Sequence, residues 1–235
     1  QSDEAEQALL VSRQLFEKLP ANQLTPDLRR QAASVISQLA RLTTDANQLD
    51  EGLALFRQAD EEFQGLIAGN EADAASKNAL AASCRHWADA LVAADRRDEA
   101  TKLYRRANDL WRDLPDEVDL RLGQLWLLLT CPEESLRDPA LASQVAEQLL
   151  IHAPNNTRLL ALASLAKALQ SKADEAEQLA HQSQRLLDEG NSTAVFVLAL
   201  VEHQRSRKAQ AVAHFETASK VMTEQHPASW SAKRL

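Results

Sequence analysis

The sequence predicts an all-α chain built as an α-solenoid, a stack of antiparallel helix pairs, and three observations predict it. First, a phrase recurs as Asp3-Glu4-Ala5, Asp50-Glu51-Gly52, Asp98-Glu99-Ala100 and Asp174-Glu175-Ala176, each at the head of an amphipathic stretch. Second, the small residue of each phrase is followed at fixed offsets of four and seven: Ala5/Leu9/Ser12, Gly52/Phe56/Ala59, Ala100/Tyr104/Ala107 and Ala176/Ala180/Ser183. Those offsets share one helix face. Ala142/Ala146/Leu149 and Ala211/Phe215/Ala218 keep the spacing without the acidic opening, so six anchors stand at 5, 52, 100, 142, 176 and 211. Their separation falls from 47 and 48 residues to 34 and 35, a repeat array with a shortening period. Third, only five Gly and seven Pro interrupt 235 residues rich in Ala, Leu, Gln, Glu and Arg, which favours long helices and leaves no segment that reads as sheet.

The elements follow in order from caps and breakers. The first helix opens at Ser2 and Asp3, with Asp3 as N-cap and Glu6 as its N3 carboxylate, and stops before Pro20; Leu9, Leu10, Phe16 and Leu19 form its apolar face. Residues 1–20 are expected to be the second helix of a truncated pair, as in a piece cut from a longer protein. Thr25-Pro26 supplies a cap and a first-turn proline for the pair 25–69, whose helices bury Leu28, Val35, Ile36 and Leu39, then Leu53, Phe56, Phe63 and Leu66, and which ends at Gly69-Asn70. The next pair, 71–114, joins Glu71–Ala93 to Asp98–Leu114 and stops before Pro115. In the pair 116–154 the connector Cys131 to Asp138 separates a helix ending at Thr130 from one opening at Pro139. The pairs 157–190 and 192–227 close at Glu189-Gly190-Asn191 and at Pro227, and 228–235 is a tail whose Trp230 is expected to fold back over the last pair.

Composition removes several classes of function. A net charge of −8, with Arg scattered among acids, does not make the concentrated basic surface that nucleic acid requires. No apolar run approaches the roughly 20 residues of a membrane span, so this fragment is expected to be soluble and not to insert in a membrane directly. Cys84 and Cys131 form neither a metal-ligand nor a disulfide pattern and read as buried small residues. Six His include no H-E-x-x-H pair, and Cys84 and His86 point to different sides of a helix, so no metal or other cofactor is expected. No phosphate loop, G-x-S-x-G elbow or dinucleotide fingerprint is present, which argues against an enzyme.

Sixteen residues before five of the anchors stand Ile36, Cys84, Trp126, Leu160 and Val195, three further on Leu39, Trp87, Leu129, Ala163 and Leu198, and then usually a small residue: Ala40, Ala88, Ser164 and Ala199, with Thr130 the exception. Large residues fill the groove between paired helices and small ones let the backbones approach. In this pattern the chain resembles tetratricopeptide repeat (TPR) proteins over almost its whole length, with extended helices in the first two full repeats. That resemblance implies a right-handed superhelix with one TPR-like repeat domain over 1–235. A closer resemblance runs through Trp126-Leu-Leu-Leu-Thr-Cys-Pro-Glu, Leu136-Arg-Asp-Pro-Ala140, His152-Ala-Pro154 and Phe196-Val-Leu-Ala-Leu-Val-Glu-His203. These residues are similar to the repeat region of a large bacterial family often attached to Hanks-type serine/threonine protein kinase domains. A kinase domain, if the parent has one, lies outside this chain.

The resemblance also implies a concave groove lined by the first helix of each pair. Mapped onto this sequence, the partner-facing positions are Ser34, Ser37 and Arg41, then Arg85 and Asp89, Gln124 and Leu127, Arg158, and Phe196, Leu200 and His203. Arg41, Arg85 and Arg158 lead the set, because guanidinium binds carboxylate or phosphate in bidentate fashion. An Arg85–Asp89 pair four residues apart on one helix is the competing reading. The Lys and Asn residues by which some tetratricopeptide proteins clamp a terminal carboxylate are not matched, and Asp89 is expected to repel one. The function expected is a non-catalytic protein-protein interaction scaffold with a protein or peptide partner, the docking or sensory region of a larger bacterial signalling protein. The alternative is a structural self-association module of a longer array. The bacterial cytoplasm and the extracytoplasmic side of a membrane-anchored parent are both open as its location.

Overall fold

A computed structural model describes residues 2–20, 23–46, 48–68, 73–186 and 192–225. Among them are eleven α-helices: α1 (Ser2–Glu17), α2 (Pro26–Asp45), α3 (Leu49–Ala68), α4 (Ala74–Ala93), α5 (Arg97–Arg112), α6 (Val118–Thr130), α7 (Pro139–His152), α8 (Thr157–Leu169), α9 (Ala173–Arg185), α10 (Ser192–Gln204) and α11 (Lys208–Gln225). The expected stops at Gly69-Asn70 and Glu189-Gly190-Asn191, the start at Glu71, the end at Pro227 and the Trp230 tail lie outside the described residues, as does the Asp3 side chain. Among the described residues no helix is long and apolar enough to cross a membrane.

Helix starts are set by side chains that satisfy otherwise orphaned amides. Thr25 Oγ1 accepts from the Leu28 amide at 3.3 Å ahead of Pro26, and Asp138 Oδ1 accepts from the Leu141 amide at 2.9 Å ahead of Pro139. Asn156 caps α8 through the Leu159 amide at 3.0 Å. Asp73 caps α4 through the Ser76 amide at 2.7 Å, and that bond holds its carboxyl below the ordinary value. The repeated Asp-Glu phrases occupy the first turns of α3, α5 and α9, where the helix dipole favours negative charge.

Three of the turns inside pairs share one device that no glycine in the sequence announces. Asp95, Ser171 and Ser206 adopt left-handed backbone, φ 58°, 60° and 61°. After each, an amide reaches back to the last turn: Arg96 to Leu91 at 2.8 Å, Lys172 to Lys167 at 3.0 Å and Arg207 to Glu202 at 2.8 Å. This is the double hydrogen-bonded helix stop that usually carries glycine.

The chain divides into two compact units, Gln1–Pro115 and Asp116–Leu235. In the first, α2 pairs with α3 and α4 with α5, while α2 and α4 pack side by side. Both α2 and α4 have 20 residues, which bears out the extended early repeats. Gly52 allows a close approach of α3 to α2: a Cβ there would stand 2.9 Å from the Ala40 carbonyl oxygen and 2.3 Å from Thr44 Cγ2. Phe56, Phe63, Tyr104 and Trp111 are fully buried in this unit, Phe56 facing Trp87 of the next pair with rings 6.2 Å apart and nearly parallel. Trp111 Nε1 donates to Asn78 Oδ1 at 2.7 Å, so its one polar group is satisfied.

In the second unit α6, α8 and α10 pack side by side, with α7, α9 and α11 behind them. Its core is nearly all Leu, Ala and Val: Leu125, Leu128, Leu149, Leu159 and Leu162 in one cluster, Ala176, Ala180, Val197, Leu198 and Val201 in the next. Lys167, buried on α8, ties three helices through Glu147 of α7 at 2.6 Å and Glu175 of α9 at 2.8 Å. Both carboxylates lift its ammonium above the ordinary lysine value.

The anchors Gly52, Ala100, Ala142, Ala176 and Ala211 are all buried, whereas Ala5 is exposed on α1. One register is corrected. Counting sixteen back from Ala142 reaches Trp126, which is 39% exposed, while Leu127, expected to face outward, is 1% exposed. The cause is the connector, which has eight residues, 131–138, where the other turns inside pairs have three, as at 170–172 and 205–207. It carries a 3-10 turn over Glu134–Leu136 and shifts the preceding helix relative to its anchor. Since α6, α8 and α10 are each 13 residues long, their ends set the true equivalence, and Arg121 and Gln124 take the core positions held by Leu160 and Ala163 in α8.

Candidate protein-interaction site

In the first unit the outward edges of α2 and α4 bring Arg41, Arg85 and Asp89 onto one face. Equal helix lengths place Arg41 level with Asp89 and Ser37 level with Arg85. Ser37 itself is withdrawn from that face: it is 7% exposed, and its hydroxyl donates to Ser83 Oγ at 2.9 Å in the seam between α2 and α4. A small polar residue at a helix contact is held by the neighbouring helix, and its role is to close the seam.

Arg85 Nη1 donates to Asp89 Oδ2 at 3.0 Å, so the intrahelical pair forms. The other Nη of Arg85 lies 3.0 Å from His86 Nε2. Tyr104, buried on α5, donates its hydroxyl to Asp89 Oδ1 at 2.6 Å. Asp89 is thereby fixed from two sides, yet desolvation raises its carboxyl above the ordinary value against the pull of Arg85 and Tyr104. Arg41 has a looser partner, Asp45, at 3.6 Å, and its side chain remains 44% exposed.

His86 lies beside the Arg85 guanidinium and within electrostatic reach of Arg41. Burial lowers its imidazole to about 3, and the nearby charges of Arg85 and Arg41 push in the same direction, so the ring is neutral at neutral pH. Close by, burial pushes the Cys84 thiol up to about 12, which keeps it protonated. Cys84 is therefore not the thiolate that a nucleophile uses, and His86, at about 3, is too weak a base to hold a proton near neutrality. What the face offers is two arginines, each held by an aspartate of its own helix, around an uncharged ring. An incoming carboxylate that reaches either guanidinium competes with Asp45 or Asp89, which remains tethered one turn away. Among the described residues no group of three or more His, Cys, Asp or Glu is placed to hold a metal ion.

In the second unit the expected residues separate. Gln124 is 3% exposed and accepts from Arg121 Nη1 at 2.9 Å inside α6; Arg121 in turn pairs with Asp116 at 2.8 Å. It is a core residue, displaced inward by the connector described above. Arg158 and His203 are exposed at opposite ends of α8 and α10. Phe196 is half-buried and meets Phe215 of α11 edge to face, ring centres 5.6 Å apart. Sequence reasoning missed His86, Tyr104 and Trp126 as residues of these faces. The signal for Trp126 was available in the connector length; none in the sequence places the Tyr104 hydroxyl on Asp89.

No family model and no curated protein matches the chain. Among solved structures, BtubC (BKLC) from P. vanneervenii is similar at 15% identity, over 100% of this chain and 96% of that one, with a TM-score of 0.60. YrrB, described as a TPR protein with an unusual peptide-binding site, is similar at 17% identity over 86% of this chain and 91% of that one, with a TM-score of 0.41. At such identities the likeness to BtubC bears on fold alone, and the fold is all-α, of sequential antiparallel helix pairs.

Proposed function

We propose that this chain is a non-catalytic protein-interaction scaffold whose first unit takes an acidic segment of a partner protein on the α2–α4 face. The observation that carries this reading is that Arg41 and Arg85, on the adjacent helices α2 and α4, both act on the neutral His86, and each has a carboxylate four residues on, at 3.6 Å and 3.0 Å. An incoming carboxylate competes with Asp45 and Asp89, which stay tethered beside their arginines, so the partner's additional contacts must favour the complex. The finer assignment, docking or sensory region of a larger bacterial signalling protein, draws support from the connector and α10 sequences, which resemble kinase-linked repeat regions. The test is recovery of partners from the source cell by the intact chain and by an Arg41→Ala/Arg85→Ala variant of equal helicity. The variant is expected to lose proteins that the parent retains; identical recoveries by the two would remove the α2–α4 face from the function.

A second reading, self-association, has its own observation. Phe215 of α11 is 50% exposed and Val212 47%, whereas Phe56, Tyr104, Ala146 and Ala180, which follow their anchors by the same four residues, are at most 1% exposed. The face that is sealed in those repeats is open on α11. Light scattering across a wide concentration range separates the readings: a mass that stays monomeric counts against self-association.

A further inference from the structure

A cleft in the first unit lies apart from the α2–α4 face and takes no part in the acidic-segment reading. Both α1 and α3 pack against α2, and residues of all three helices line a cavity of about 190 Å³. Its α2 wall is Arg29, Ala32 and Ile36, which lie about 140° round the helix from Ser34, Ser37 and Arg41 at about 100° per residue. Ala32 leaves the space open, since it stands one turn before the buried Ile36 with a side chain too short to fill the cleft. Phe16 of α1 and Leu24 of the following loop, both half-buried, complete an apolar floor.

Volume sets the size of an occupant. The cleft is smaller than the roughly 300 Å³ at which drug-sized pockets begin, and larger than a cavity of about 150 Å³ that admits benzene. A branched alkyl or benzyl group is therefore the largest apolar body it takes.

Charge sets the rest of the ligand. The lining is neutral as a whole, with Arg13 and Arg29 against Glu17 and Glu62. Arg13 already holds Glu17 across one turn of α1, at 2.9 Å. The side chains of Glu62 and Gln58, one turn apart on α3, make no ion pair or hydrogen bond among the described residues. An organic cation would meet Glu62 but also face two arginines, and an organic anion would face Glu62. A molecule that carries both charges beside a small apolar group answers the whole lining.

We propose that this cleft binds a free amino acid with a branched aliphatic or aromatic side chain. The side chain enters between Phe16, Leu24 and Ile36, the ammonium meets Glu62 and Gln58, and the carboxylate meets Arg29. The site is independent of Arg41 and Arg85, so its failure leaves the function proposed above untouched.

The experiment is calorimetric titration of the full chain with L-leucine, with isocaproate, which lacks the ammonium, with isoamylamine, which lacks the carboxylate, and with L-leucinamide. Leucine is expected to bind saturably at one site and each single-charge analogue about tenfold more weakly or worse. Glu62→Gln, at an exposed position, is expected to weaken leucine about tenfold and leave isocaproate unchanged, whereas Arg29→Gln weakens leucine and leaves isoamylamine unchanged. Ala32→Phe, checked for unchanged helicity, fills the cleft and should abolish binding, while Arg41→Ala/Arg85→Ala leaves it as it was. The proposal is overturned by absence of saturable leucine binding, by isocaproate or isoamylamine binding as tightly as leucine, by a leucine affinity that Glu62→Gln or Arg29→Gln does not move, or by binding that survives in folded Ala32→Phe. Leucinamide binding as tightly as leucine would assign the cleft to the amino terminus of a partner chain and overturn it equally.

Discussion

At the scale of single residues, the α2–α4 face is tuned by neighbours the sequence places far away. His86 titrates near 3 in the folded chain against about 6.5 when unfolded, so between those values the unfolded state binds the additional proton. Stability consequently rises with pH across that window and falls as pH drops from about 6.5 towards 3, where charging the ring would set a third cation beside Arg41 and Arg85. His86→Gln is expected to flatten that slope and move the acid-unfolding midpoint to lower pH, read by circular dichroism; an unchanged midpoint would mean that His86 is solvated and charges freely. Tyr104 acts in the same cluster through packing and through its hydroxyl. Tyr104→Phe is expected to cost about 1 kcal/mol and to raise the Asp89 carboxyl further, since it deletes a bond that lowers it. Tyr104→Ala, which empties the site, should cost about 3–5 kcal/mol in urea unfolding.

At the scale of elements, helix existence was legible because caps and apolar spacing agree, as at Thr25-Pro26, Asp138-Pro139 and Asn156. Registers were legible only where the turn inside a pair has three residues. The eight-residue connector after Thr130 broke the count and exchanged the surface roles of Trp126 and Gln124. The three-residue turns were invisible as such, since Asp95, Ser171 and Ser206 stand where glycine is usual. A non-glycine residue there carries a steric cost, so Ser171→Gly, at an exposed position, is expected to stabilise the chain by up to about 1 kcal/mol. The opposite sign belongs to Gly52→Ala. Its new methyl would meet the Ala40 carbonyl oxygen, and backbone cannot rotate away, so a loss of about 1–3 kcal/mol is expected. Thermal melts of both variants check the pair, and a stabilised Gly52→Ala would show that α2 and α3 lie further apart than described.

At the scale of the whole molecule, the period of small anchors specified sequential helix pairs because each anchor marks a place where two backbones must approach, and that requirement is local to neighbouring helices. The partner-facing surface is not under that constraint. Ser37 and Arg41 stand one turn apart on the same side of α2, and only the neighbouring helix decides that Ser37 is buried and Arg41 exposed. The same logic separates equivalent aromatic residues. Phe56 and Phe215 each follow a small anchor by four residues, but Phe56 is sealed by Trp87 and Phe215 is half exposed. In a repeat array stability is carried by contacts between neighbours, so the cost of truncation should track that seal. Phe56→Ala is expected to cost about 3–5 kcal/mol and Phe215→Ala no more than about 1–2, from equilibrium urea unfolding at low protein concentration. If Phe215→Ala costs as much as Phe56→Ala and the cost grows with protein concentration, the α11 face is covered by a second copy in solution. Unequal costs that do not change with concentration leave that face open and favour the scaffold reading over self-association.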